Sequence, residues 1–130
     1  MSVLDAVLDR IDQDLERSLE RLFGLLRIPS ISTDAAYRDK CRQAAEHLAK
    51  DLATIGFDAE VRPTAGHPVV VAKAGDGSGP RALFYGHYDV QPVDPLDLWE
   101  TSPFEPRVKD LGHAARRSSR GAPATTRASS

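Results

Sequence analysis

Phe84-Tyr85-Gly86-His87-Tyr88-Asp89-Val90-Gln91-Pro92 closes an apolar run that begins near Arg81. The run Ala82-Leu83-Phe84-Tyr85 is short and bounded by turn residues, which predicts a buried strand over Arg81 to His87. On a strand, residues i and i+2 point to the same side, so His87 and Asp89 share a face while Tyr88 turns away. A histidine that binds zinc must be a neutral imidazole held in one orientation. A carboxylate beside it accepts the other ring N–H, which fixes the tautomer and raises ligand basicity. Gly86 leaves space for a further segment or a ligand to approach. A His-x-Asp pair alone is a weak signal, and taken without context a structural histidine at a strand end is the better reading.

Upstream of this run, Leu4, Leu8, Ile11, Leu15, Leu19, Leu22 and Leu26 recur at spacings of three and four. They predict one helix from about Val3 to Arg27, solvated on most faces and packed along one stripe, ended by Pro29. Ser32, Thr33 and Asp34 offer caps for a second helix. Its apolar positions are Cys41, Ala45, Leu48, Leu52 and Ile55, and Gly56 follows as a left-handed stop. Phe57 to Arg62 alternates like an edge strand, and His67 to Ala72, with Val69-Val70-Val71, reads as a buried one. A Gly-rich turn over 74–80 precedes the strand that carries His87. The predicted class is therefore α/β: two N-terminal helices, three strands and a Pro-rich loop, with ligands at strand ends. In that loop, Trp99 and Phe104 are the expected anchors, and Asp94 and Asp97 the expected turn caps.

The chain has 130 residues, enough for one domain at most. A net charge of −2 is too small to argue for nucleic acid or an acidic substrate, and no nucleic-acid partner is expected. That average hides a division: residues 1–110 hold all 19 acidic residues against 13 Lys and Arg, a balance of −6. Residues 111–130 hold no acid and four arginines, a balance of +4. The composition of 111–130, almost without apolar bulk, predicts a disordered basic tail. A single cysteine, Cys41, excludes an internal disulfide and fits a reducing, cytoplasmic setting. The acidic, amphipathic start carries no secretory signal pattern, and no run approaches the ~20 apolar residues of a membrane span.

Gly86-His87-Tyr88-Asp89-Val90-Gln91-Pro92-Val93-Asp94-Pro95, followed by Trp99 and by Pro103-Phe104-Glu105-Pro106, closely resembles the co-catalytic zinc metallopeptidases. This family holds carnosinase-type dipeptidases, glutamate-releasing carboxypeptidases, aminoacylases, acetylornithine deacetylase and succinyl-diaminopimelate desuccinylase. Leu26-Arg27-Ile28-Pro29-Ser30-Ile31-Ser32 also looks like the segment after the family's first helix. The resemblance covers residues 1–110, and the spelling around Tyr88, Gln91-Pro92 and Pro95-Leu96 leans toward the dipeptidases. It implies a two-zinc hydrolase of small peptides or N-acyl amino acids, with His87 as a metal ligand and Asp89 as the catalytic-site carboxylate that orients it. It also implies a bridging Asp, a Glu pair with the general base, and a final carboxylate and His. Of these, the sequence contains His87 and Asp89, so 1–110 is expected to be the N-terminal part of a catalytic domain holding at most one partial zinc site. The family's separate dimerisation domain is not expected within these 130 residues.

The tail departs from the family in an ordered way. When each codon is rebuilt from the third base of one residue and the first two bases of the next, Arg120 to Ser129 can spell Arg-Gly-Ala-Ser-Asp-Asp-Lys-Gly-Gln. The family continues with a segment of that type. A change of reading frame between about Asp110 and Arg120 is the expectation. The chain as translated is then expected to be inactive alone, and an alternative role is non-catalytic association through the first helix.

The remaining candidates have plain readings. His47 sits on the second helix among apolar neighbours, His67 precedes Pro68 in a turn, and His113 has no carboxylate beside it. None is expected to bind metal. Cys41 is expected in the core, since no basic or histidine-rich setting would activate its thiol.

Overall fold

In the computed structural model, which describes residues 1–109, Ser2 opens the first helix with a reciprocal cap. Its Oγ accepts from the Asp5 N–H (3.1 Å), and the Asp5 carboxylate accepts from the Ser2 N–H (3.0 Å). Helix α1 (Val3–Gln13) and helix α2 (Leu15–Leu26) replace the single helix expected from the leucine spacing. Asp14 interrupts it at φ −96°, ψ 6°. Backbone bonds from Asp14 to Arg10 (3.1 Å) and from Ser18 to Asp14 (2.9 Å) nevertheless carry the ladder through the interruption. Asp14 is a poor interior helix residue, and its carboxylate is engaged by both Arg10 (2.5 Å) and Arg17 (2.6 Å).

Asp34, not Ser32, caps the next element: its carboxylate accepts from the Ala36 N–H (2.9 Å) at a 3-10 turn, Ala35–Tyr37. Helix α3 (Arg38–Thr54) continues from that turn. Gly56, at φ +91°, takes the left-handed conformation that closes the helix, where a side chain would be strained. Strands β1 (Asp58–Arg62) and β2 (Val69–Lys73) then pair antiparallel, with Val61 opposite Val70 and Glu60 opposite Val71. Helix α3 packs against both strands. Its small buried residues Cys41, Ala44 and Ala45 let the backbones approach, and Ile28, Ser30 and Ile31 complete the fully buried set.

Two expectations fail for one reason. Arg81 to His87 forms no strand, and Leu83, Phe84 and Tyr85 are 96%, 89% and 94% exposed. Helices α1 and α2 bury no residue fully, and Leu4, Ile11, Leu15, Leu22 and Leu26 face outward. Apolar periodicity states what a segment can bury, but burial requires a receiving surface, and the described residues provide none for 82–86 and only a partial one, on α3, for α2. The α/β class stands, with two strands among the described residues instead of three. No helix among them is long and apolar enough to cross a membrane. The expectations for 111–130, including His113, lie outside the described residues.

Candidate metal centre

The segment 28–32 organises the site because Pro29 stops α2 and turns the chain into an extended strap. Ile31 makes a parallel bridge with Val90, and the Val90 N–H donates to the Ser30 carbonyl (3.0 Å). The buried Ser30 hydroxyl donates to the Tyr88 carbonyl (2.9 Å). From the other side, the Tyr88 hydroxyl donates to the Pro68 carbonyl (2.6 Å). Tyr88 therefore points inward while its neighbours point away, and burial raises its phenol above the usual range. The alternation expected of a strand survives here, although residue 87 belongs to none.

His87 and Asp89 are brought together as expected. Nδ1 of His87 lies 3.2 Å from Asp89 Oδ1 and 3.1 Å from the Asp89 carbonyl. Both partners are acceptors only, so the ring proton that makes these bonds is on Nδ1. The Nε2 lone pair is then the one left for a ligand. The His87 side chain is 77% exposed, so Nε2 is reachable from solvent, while that of Asp89 is 42% exposed. Ser32 donates its hydroxyl to the second carboxylate oxygen, Oδ2 (2.6 Å). That bond, more than any other contact, holds the Asp89 carboxyl below the ordinary carboxylate range. Asp89 is consequently an anion at neutral pH with both oxygens assigned. At Gly86 a Cβ would meet nothing within 4 Å, so the space beside the pair is open.

The donor chemistry fits one anchoring ligand of a zinc site: an exposed imidazole with a fixed tautomer and a carboxylate behind it. It does not make a complete site, because no three His, Cys, Asp or Glu side chains among the described residues could hold an ion together. His47 lies far along α3, in a cleft of about 250 Å³ lined with Arg21, Leu25 and Asp51. Cys41 is fully buried, and burial followed by the Asp89 charge pushes its thiol up, the opposite of nucleophile activation. Asp94 and Asp97 make no side-chain cap among the described residues. The turn Leu96–Leu98 is closed by the backbone, and Trp99 donates its indole N–H to the Val93 carbonyl (2.8 Å).

Sequence reasoning missed two contributors. Locally, Ser32 reads as a helix cap and His67 as a turn residue. In the fold, the His67 Nε2 N–H donates to the Ser32 carbonyl (2.8 Å). Nothing local marks either role, since the partners lie 57 and 35 residues away in sequence.

No protein-family model matches the chain. It is 33% identical over 115 residues to the Cys-Gly metallodipeptidase DUG1 of Candida albicans, covering 78% of this chain and 24% of that protein. The Saccharomyces cerevisiae DUG1 is 32% identical over 116 residues, with the same coverage of 78% and 24%. A succinyl-diaminopimelate desuccinylase of Ectopseudomonas mendocina is 37% identical over 98 residues, 75% of this chain and 24% of that enzyme. The chain belongs to this family of metallodipeptidases and desuccinylases. The solved structure of the dipeptidase Dug1p from Saccharomyces cerevisiae superposes with a TM-score of 0.71 at 31% identity, over 79% of this chain and 24% of that one. The partial α/β fold is thus the family's. The chain spans about a quarter of the length of these relatives.

Proposed function

We propose that this chain carries the metal-anchoring segment of a zinc-dependent dipeptidase that hydrolyses small peptides or N-acyl amino acids. The observation that supports this reading is the His87 ring, tied through Nδ1 to Asp89 with Nε2 facing solvent. The relatives named Cys-Gly metallodipeptidase favour peptide bonds over N-acyl bonds as the substrate class. The chemistry expected of a bound zinc pair is the activation of water and the polarisation of the scissile carbonyl. His87 would supply one neutral nitrogen to it. Asp89 would keep the Nδ1 proton in place and offset the positive charge, and Ser32 would keep Asp89 from rotating.

Asp89 is committed to His87 and Ser32, and no second carboxylate is hydrogen-bonded to His87 among the described residues. We therefore expect no dipeptide hydrolysis from the 130-residue chain by itself, in a cytoplasmic setting where Cys41 stays reduced. In this reading residues 111–130 are translated out of frame, and codons that cannot spell the Asp-Asp-Lys series would remove that part. The activity is tested by exchanging residues 1–109 for the matched segment of the Saccharomyces cerevisiae dipeptidase. The chimera should hydrolyse Cys-Gly when supplied with zinc, and His87→Ala should abolish turnover. An active chimera indifferent to His87→Ala would refute the reading.

One observation favours a second reading. Leu4, Val7, Ile11, Leu15 and Leu22 on α1 and α2 are exposed, as an association surface would require. Pairing with an intact homologue predicts co-elution in size-exclusion chromatography, and strictly separate elution would leave this role without support.

A further inference from the structure

The hydrogen bonds around Asp89 form a chain that the metal-anchoring role alone does not explain. His87 Nδ1–H is shared between Asp89 Oδ1 (3.2 Å) and the Asp89 carbonyl (3.1 Å), Ser32 Oγ–H donates to Asp89 Oδ2, and His67 Nε2–H donates to the carbonyl of that same Ser32. Three segments meet in this chain: the strap after α2, the residues just before β2, and the candidate site. Ser32 is the link common to both ends. The carboxylate turns about its Cα–Cβ and Cβ–Cγ bonds, so a single bond from His87 at 3.2 Å cannot fix it. The shorter bond from Ser32, at 2.6 Å, occupies the other oxygen and leaves Oδ1 presented to the imidazole. His67 is half-buried, and its Nδ1 is enclosed without a hydrogen-bond partner among the described residues. Its Nε2 contact to the Ser32 backbone therefore restrains the residue that restrains Asp89.

We infer that Ser32 is a positioning residue that selects the metal-ready tautomer of His87 by holding Asp89, and that His67 anchors Ser32. The inference rests on the proposed metal role of His87. It nevertheless makes a claim about the metal-free chain that is read separately.

The test is the tautomer of His87, observed by imidazole nitrogen NMR on the full 130-residue chain without metal, at alkaline pH where imidazoles are neutral. The wild-type ring should be mainly the Nδ1–H form. Ser32→Ala removes one hydrogen bond and should lower the ratio of Nδ1–H to Nε2–H by about fivefold. Ser32→Thr, which keeps the hydroxyl, should restore it. His67→Leu should shift the ratio in the same direction by less. Ser30→Ala is the structural control, because it loosens the same segment through the Tyr88 carbonyl while both Asp89 carboxylate oxygens keep their partners, and it should shift the ratio by less than Ser32→Ala does. Should Ser32→Ala not fold, Ser32→Cys, a weaker donor of similar size, makes the same comparison. An unchanged ratio in Ser32→Ala or Ser32→Cys would overturn the role of Ser32, as would an equal shift in Ser30→Ala. An unchanged ratio in His67→Leu would remove His67 from the chain. A wild-type ring mainly in the Nε2–H form would instead sink the metal-anchoring reading itself.

Discussion

Residues 82–86 and residues 88–90 are near neighbours in sequence and are treated oppositely by the fold. Leu83, Phe84 and Tyr85 are almost fully exposed and pair with nothing among the described residues. Tyr88, Asp89 and Val90 are held by hydrogen bonds to Ser30, Ser32 and Pro68 and by the bridge to Ile31. The difference lies in the partners. The strap after α2 and the residue before β2 supply acceptors and donors to 88–90, while no edge among the described residues reaches 82–86. Local propensity is shared across the run, and order follows the surface that meets it.

Substitutions on either side of this divide should therefore behave differently. Ile31→Ala removes a buried side chain at the bridge and should cost about 2–4 kcal/mol in urea denaturation. Ser30→Ala should cost less, about 1 kcal/mol for a part-buried hydrogen bond. Phe84→Ala, for all its lost apolar area, should stay within about 0.5 kcal/mol, because an exposed side chain loses no packing. A large loss at Phe84 would show that 82–86 is covered in solution.

A similarly small effect belongs to the helical side. Arg21 donates to both oxygens of Asp51 (2.8 and 2.7 Å), joining α2 to α3. This pair is well solvated, so Arg21→Ala should cost only about 0.2–1 kcal/mol. The hydrogen bond from Arg21 holds the Asp51 carboxyl below its ordinary value of 3.8. A depressed carboxyl contributes stability that is present above that value and disappears as pH falls through the lower folded one. Arg21→Ala should flatten this acid limb of the stability curve, so the small deficit seen at neutral pH should fade as the carboxyl is protonated.

Much of the fold was legible where the signal is local. The Gly56 stop, the alternation of β1 and the burial of Cys41 and Ala45 on α3 follow from neighbours in sequence, whereas Ala44 is buried without having been marked and Ile55, expected on the apolar face, is 55% exposed. The pairing of His87 with Asp89 was legible for the same reason, since two residues of extended backbone bring them together. The break at Asp14 was not, because the leucine spacing runs straight through it. The roles of Ser32 and His67 were hidden, because hydroxyls and imidazoles advertise several uses and the decisive partners are distant in sequence.

The most direct measurement is a zinc titration of the full chain followed by the nitrogen resonances of the His87 imidazole. The account predicts that zinc moves Nε2 of His87 while Nδ1 keeps its proton toward Asp89, and that His87→Ala removes this response. Zinc binding that leaves the ring of residue 87 unperturbed, or that engages Nδ1 instead, would contradict it.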